Sequence, residues 1–240
     1  MVAIAIIAFV VYRSSAFTIE SKSVTGAAHL TDEYVISIAS VEEGSTLLRF
    51  DRRGITSRLT DDPWIADVRI KRQFPSTLVL VVTERKPIAV VDVQPVITSI
   101  EVEQWLISED GIWLGKVDDL GEGHHFTPEE AETLVKFTDI SRTAYPVVGR
   151  KTEDVGVLNA IKILDGFSDG MRALVYSISA PDRDRTTLSL INNVSVVFGA
   201  AEDIKAKEGA IITLLNEHPN TLISINVRVP HRATFSAYGD

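Results

Sequence analysis

The chain has 240 residues, 45% of them hydrophobic and 24% charged, enough for one large or two modest globular domains and unlike a disordered polymer. Its formal net charge is −9, and its densest basic group, Arg49, Arg52, Arg53 and Arg58, is interrupted by Asp51; both facts argue against a nucleic-acid binder. There is no cysteine, which excludes a disulfide framework, a thiol nucleophile and a sulfur-ligated zinc.

Residues 2–12 read VAIAIIAFVVY, an uninterrupted apolar run ended by Arg13. At about 1.5 Å per residue the run spans roughly 16 Å, about half of a bilayer core. It could be a buried element of a soluble domain or the apolar core of a signal peptide. However, no basic stretch precedes it and no small-x-small site follows. The reading we favour is the tail end of a transmembrane helix whose start lies upstream, so that residues 1–16 form a partial membrane segment.

Residues 17–25, FTIESKSVT, read as a strand closed by Gly26. Thr31 is a good N-cap, followed by Asp32 and Glu33 in a first helical turn; Tyr34, Val35 and Ile38 share a face. A second short helix begins near Asp51, carries Ile55 and Leu59 at i, i+4, and stops at Asp61-Asp62-Pro63. In residues 64–73, Val68 and Ile70 alternate with Asp67, Arg69 and Lys71, the period of a half-buried strand. The turn at residues 74–77 leads into LVLVVT at residues 78–83, a second strand. The first unit is therefore β-α-α-β-β.

Beyond residues 84–87 the pattern changes. Residues 88–93 and 96–108 read as strands separated by Pro95, and Asp110-Gly111 is a hairpin signal before IWLGKV. Residues 121–127 form a polar loop, Thr127-Pro128 starts a helix, and another helix covers residues 154–167. Strands return at residues 171–180, 186–191 and 194–198, the last two joined through Asn192-Asn193, where asparagine tolerates positive φ. A helix covers residues 201–217, and residues 222–229 form the last strand. Ile223, Ile225, Val227 and Val229 are expected on one face, and Ser224, Asn226 and Arg228 on the other.

Few residues suggest chemistry. His124 and His125 lie near Asp118, Asp119 and Glu122, but adjacent histidines do not converge easily on one ion, and a solvated acidic loop is the simpler reading. Asp182 and Asp184 alternate with Arg183 and Arg185, as at a charged hairpin tip. No nucleophile-elbow, P-loop or dinucleotide motif occurs.

Residues 63–90, PWIADVRIKRQFPSTLVLVVTERKPIAV, resemble the end of a POTRA domain of the FtsQ/DivIB family of cell-division proteins. In that family a Pro-Trp opens the strand, a Pro-x-Thr-Leu turn follows, and Glu-Arg-x-Pro leads to the next domain. The matching residues are Pro63, Trp64, Pro75, Thr77, Leu78, Glu84, Arg85, Pro87 and Ala89. Upstream, Phe17, Ile19, Val24 and Gly26 resemble the first POTRA strand. Downstream, Asp110-Gly111, Tyr145-Pro146-Val147 and the NVRVP at residues 226–230 resemble landmarks of the following β domain. The similarity runs in family order over essentially the whole chain.

The resemblance implies an α+β architecture: a membrane segment at residues 1–16, a POTRA module at residues 17–86 and a strand-rich β domain with covering helices at residues 87–240. Trp64 would plug the gap between helix and sheet, Pro75 and Thr77 would shape a tight turn before the structural residue Leu78, and Glu84 and Arg85 would pair at the junction. It also implies a non-enzymatic scaffold in a bacterial plasma membrane, mostly extracytoplasmic and acting at the septum. Its partners would be coiled-coil division proteins resembling FtsB and FtsL, with other division proteins meeting the POTRA module, and no cofactor or metal is implied. The last strand, if it lies at a sheet edge, would accept a partner strand through Ser224, Asn226, Arg228 and Val229; alternatively it is paired on both sides or covered by the tail. The rival functions are a POTRA-bearing membrane assembly or secretion factor and an extracytoplasmic enzyme of the cell wall.

Overall fold

A computed structural model describes residues 1, 3, 4, 9, 12, 15–94 and 102–238. The expected membrane segment at residues 1–16 and the strand start at residues 96–101 lie largely outside the described residues. Among those described, no helix is long and apolar enough to cross a membrane. The chain divides into two compact units, residues 1–86 with 120–126, and residues 87–119 with 127–240.

The first unit is a three-stranded sheet backed by two helices. β1 (Ser21–Thr25), β2 (Ile65–Gln73) and β3 (Thr77–Glu84) are ordered β1-β3-β2, with β1 parallel and β2 antiparallel to β3. A parallel β1–β3 pair needs a long crossover, and the helices α1 (Asp32–Ala39) and α2 (Arg52–Thr60) lie within it. Each starts at a local cap. The Thr31 hydroxyl accepts from Tyr34 N at 3.1 Å, and the Asp51 carboxylate accepts from Gly54 N at 2.9 Å. The core holds Val35, Leu47, Leu59, Trp64, Leu78 and Leu80, all fully buried. Gly26 sits at φ +90°, and a Cβ there would stand 2.2 Å from the Val82 carbonyl oxygen, so only glycine fits where β1 ends.

The second unit is built on a nine-stranded mixed sheet. Its strands in chain order are β4 (Pro87–Val93), β5 (Glu103–Ser108), β6 (Trp113–Lys116), β7 (Val135–Thr138), β8 (Val175–Ser179), β9 (Thr187–Leu190), β10 (Ser195–Val197), β11 (Leu222–Asn226) and β12 (Thr234–Ala237). Their spatial order is β12-β11-β10-β9-β8-β7-β4-β5-β6. The pairs β4–β7, β7–β8 and β10–β11 are parallel. The chain between these partners carries helices α3 (Pro128–Thr133), α4 (Val155–Gly166), α5 (Asp169–Arg172) and α6 (Ile204–Glu217). Val157, Ala160, Leu164, Met171 and Ile211 from α4, α5 and α6 pack with Phe137, Ile178, Leu188, Val196, Ile225 and Val227 from the sheet and its flank in one buried core.

The opposite face of the last five strands is hydroxylated. Ser177, Ser189, Ser195, Ser224 and Ser236 form one row in register across β8 to β12. None of the five is buried, as expected of an antiparallel-rich sheet with one face in water.

Several sequence expectations are corrected. The strand expected from residue 171 begins only at Val175, because Ser168 caps a helical turn by accepting from Met171 N at 3.2 Å. Strand β7 follows α3 after one residue and has too few residues to show a period. The expected four-residue apolar face on the last strand does not form. A register shift between Leu222 and Ser224 buries Leu222 and turns Ile223 outward, and Val229 lies beyond the strand end and is 56% exposed.

Candidate partner-binding surface

The two ends of the nine-stranded sheet differ. At the β6 end the outer backbone is occupied. Trp113 N donates to Arg150 O at 3.0 Å, Gly149 N donates to Trp113 O at 2.8 Å, and Ile112 bridges Lys151. At the β12 end, no strand among the described residues lies outside β12. Thr234, Phe235 and Ser236 are exposed. A hydroxyl pair between Ser224 and Ser236, 2.8 Å apart, and the His218 ring, 4.4 Å from that of Phe235, hold β12 from its inner side. Tyr238 N then donates to Thr221 O at 2.8 Å. An edge strand of this kind presents a row of backbone donors and acceptors that another chain can complete.

The open edge is therefore one strand further out than the sequence suggested. β11 pairs in parallel with β10 and antiparallel with β12, so it is an internal strand. Ser224 and Asn226 lie on its partly covered polar face, and their main chains are in ladders on both sides. Arg228 and Val229 lie past the strand, where Arg228 N donates to Asn226 Oδ1 at 3.2 Å. The missed signal was the alternation Thr234, Phe235, Ser236, Ala237 beyond the turn containing Pro230.

A buried polar hub shapes the loop before α6. The Asn159 amide donates to Gly199 O at 3.0 Å and to the Thr186 hydroxyl at 2.9 Å, while its oxygen accepts from Ala201 N at 2.8 Å. Lys207 is almost fully buried and donates to Phe198 O at 3.0 Å and Ala200 O at 2.7 Å. Burial lowers the Lys207 pKa, against the opposing fields of Glu202 and Asp203. Burial acts to raise the pKa of Glu208, but hydrogen bonds from Ser168 and Lys205 outweigh it and hold the carboxyl below its ordinary range.

In the first unit, the residues named by the sequence take defined places. Trp64 is fully buried, and its ring meets those of His29, His124 and Phe126 at centroid distances of 5.6, 5.5 and 5.8 Å. The loop at residues 120–126 thus packs into the POTRA core, and His124 is not the solvated residue its acidic neighbours suggested. Pro75 is exposed in the turn; the Thr77 hydroxyl meets that of Ser21 at 2.7 Å, and Leu78 is fully buried. Glu84 and Arg85 were expected to pair with one another, yet each serves the backbone. The Glu84 carboxylate accepts from the N–H groups of Ala28, His29 and Leu30 at about 2.9 Å. Arg85 donates to the carbonyls of Pro63 and Ile65, each at 2.8 Å.

A cleft in the second unit is lined by Trp113, Tyr145, Glu153, Asp154 and Asp182, and two of these three carboxylates are committed. Asp154 caps α4 by accepting from Val157 N at 2.8 Å. The Arg185 guanidinium hydrogen-bonds Asp182 and holds its carboxyl below the ordinary range. Among the described residues, no three His, Asp or Glu side chains are grouped to hold a metal.

A β-α-α-β-β module of POTRA architecture is followed by a strand-rich domain whose sheet, among the described residues, ends at β12. Residues 17–85 match the family model described as POTRA domain, FtsQ-type. Across most of the chain the similar proteins bear one name, Cell division protein FtsQ. The protein of that name from Geobacter sp. is 34% identical over 83 residues, covering 35% of this chain and 30% of the relative. The one from Corynebacterium glutamicum is 25% identical over 218 residues, covering 90% of this chain and 86% of the relative. The one from Mycobacteroides abscessus is 24% identical over 212 residues, covering 88% and 60% respectively. The chain thus carries a POTRA domain of the FtsQ type and is similar over most of its length to proteins named Cell division protein FtsQ.

Proposed function

We propose that this chain is a bitopic scaffold of the bacterial division machinery. It is anchored in the plasma membrane through the apolar run at residues 2–12, with the rest of the chain extracytoplasmic. Its work is to recruit and hold other division proteins at the septum, among them coiled-coil proteins resembling FtsB and FtsL, while further division proteins meet the POTRA module. The observation that carries this reading is the open edge at β12. A partner segment laid beside β12 would gain ladder hydrogen bonds, each worth about 0.5–1.5 kcal/mol net, together with contacts to Phe235.

The test is a proline scan over residues 234–237, reading both thermal unfolding and capture of the extracytoplasmic segments of such coiled-coil partners. Proline removes a backbone donor. At a position whose N–H faces outward, the variant should keep its melting temperature and lose capture. At a position whose N–H faces β11, the melting temperature should fall. If every proline variant that keeps the parental melting temperature also captures partners at parental affinity, strand addition at β12 is wrong.

A further inference from the structure

The first unit carries no net formal charge, with 11 Lys and Arg against 11 Asp and Glu over residues 1–86 and 120–126. Its exposed arginines are nonetheless unevenly placed. The chain leaving the apolar run is stapled to two loops. Leu47 N donates to Phe17 O at 2.8 Å, and Glu20 N donates to Ser76 O at 3.0 Å. Arg49 lies on the first of these loops, Arg52 and Arg53 open α2 just after it, and Arg72 stands near the end of β2 just before the second; all four are exposed. The Arg49 guanidinium stands 5.7 Å from the Tyr12 ring, and that of Arg72 stands 5.3 Å from the Phe50 ring. Phe74 caps the same end, 54% exposed, with its ring edge-on to Phe17 at 5.3 Å. Of the acids on the same segments, Asp51 is engaged as the cap of α2, and Glu20, Glu42 and Glu43 are exposed.

We propose that this end of the POTRA module, with Phe74 at its tip and Arg49, Arg52, Arg53 and Arg72 around it, docks on the anionic lipid headgroups of the membrane in which the chain is anchored. The inference rests on the anchoring reading above. Its physical basis is proximity plus complementarity. Phe17 lies five positions beyond Tyr12, so even a fully extended chain holds them within about 17 Å. Tyrosine and tryptophan settle at bilayer interfaces, which would place Arg49, already over Tyr12, at headgroup level. Guanidinium groups bind phosphate in a bidentate fork, and an exposed aromatic ring beside them can enter the interface. The consequence is that the anchor would set the module's tilt and height over the bilayer, not only tether it.

The chain has no cysteine, so single-cysteine labels are unambiguous. Full-length Phe74→Cys and Ile4→Cys proteins, each carrying an environment-sensitive fluorophore, are reconstituted in vesicles of phosphatidylcholine with or without phosphatidylglycerol. Quenching by spin-labelled lipid is then read. The expected result is a quenched Ile4 label in both vesicles and a Phe74 label quenched strongly only with phosphatidylglycerol. High salt should release the Phe74 label, as should the triple variant Arg49→Gln, Arg53→Gln, Arg72→Gln, with a shift of about five-fold in the docking equilibrium for each arginine at low salt. A Phe74 label that stays in water while the Ile4 label is quenched overturns the docking and leaves the anchoring reading intact. Equal quenching with and without phosphatidylglycerol overturns anionic recognition. An Ile4 label in water overturns the anchoring reading and the docking with it. The salt series uses the unmutated loops, so misfolding of the triple variant cannot decide the outcome.

Discussion

Glu84 offers the sharpest test of how the first unit is held together. Its side chain is 6% exposed, and its two oxygens accept from three consecutive backbone N–H groups, those of Ala28, His29 and Leu30. The His29 ring nitrogen Nδ1 lies 3.2 Å from the same carboxylate. The three donors precede the Thr31 cap, so this carboxylate ties the end of β3 to the entry of α1. Glu84→Ala strands all three. Ala28 is exposed and can turn to water, whereas His29 is half-buried and Leu30 is buried. Counting two donors lost at about 1.5–3 kcal/mol each for bonds to a charged acceptor, the variant should lose about 3–5 kcal/mol after some relaxation. That is a large share of the roughly 5–15 kcal/mol of a whole domain. Glu84→Gln keeps one acceptor oxygen but turns an amide toward a donor, and should cost about half as much. Urea unfolding followed by the change in Trp64 emission, with hydrogen exchange at residues 28–30, reads both variants. An alanine variant within about 0.5 kcal/mol of the parent, the range of an ordinary surface change, would refute the reasoning. So would a glutamine variant less stable than the alanine one.

Trp64→Ala deletes a fully buried ring and should cost about 3–5 kcal/mol, measured by chemical unfolding. The Tyr34 hydroxyl donates to Asp62 at 2.7 Å, and burial, with the hydrogen bond and charge of Asp62 behind it, pushes its pKa up to about 12. The folded state keeps this proton longer than the unfolded chain, so its stabilising share is whole below pH 10 and is lost as pH rises toward 12. An ultraviolet titration should show one tyrosine ionising late and Tyr34→Phe removing that step; a parental titration without a late step would contradict it. Asn159→Ala removes the hub that holds residues 199 and 201 and should cost about 2–4 kcal/mol, because buried backbone groups lose their partners. Hydrogen exchange should then quicken at Ala201, and an unchanged rate there would count against the hub.

Caps and turns were legible in the sequence because they are settled within a few residues. Thr31, Asp51, Thr127 and Asp154 each accept from a backbone N–H three residues on, and Asn193 takes the positive φ its turn requires. The POTRA strands were legible for a related reason: the period-two pattern over residues 65–73 reflects a sheet with one face buried. Tertiary structure decided what depends on residues far apart. Strand β7 exists because β4 and β8 flank it, and its four residues carry no period of their own. Glu84 turns to Ala28, His29 and Leu30, more than fifty positions away, and His124 closes on Trp64 and Tyr34 across still longer separations. The identity of the sheet edge is of the same kind. Composition and alternation marked residues 222–229 as amphipathic, but an edge is defined by what lies beside a strand. Only the return of residues 234–237 against β11 moved the unpaired backbone groups to β12.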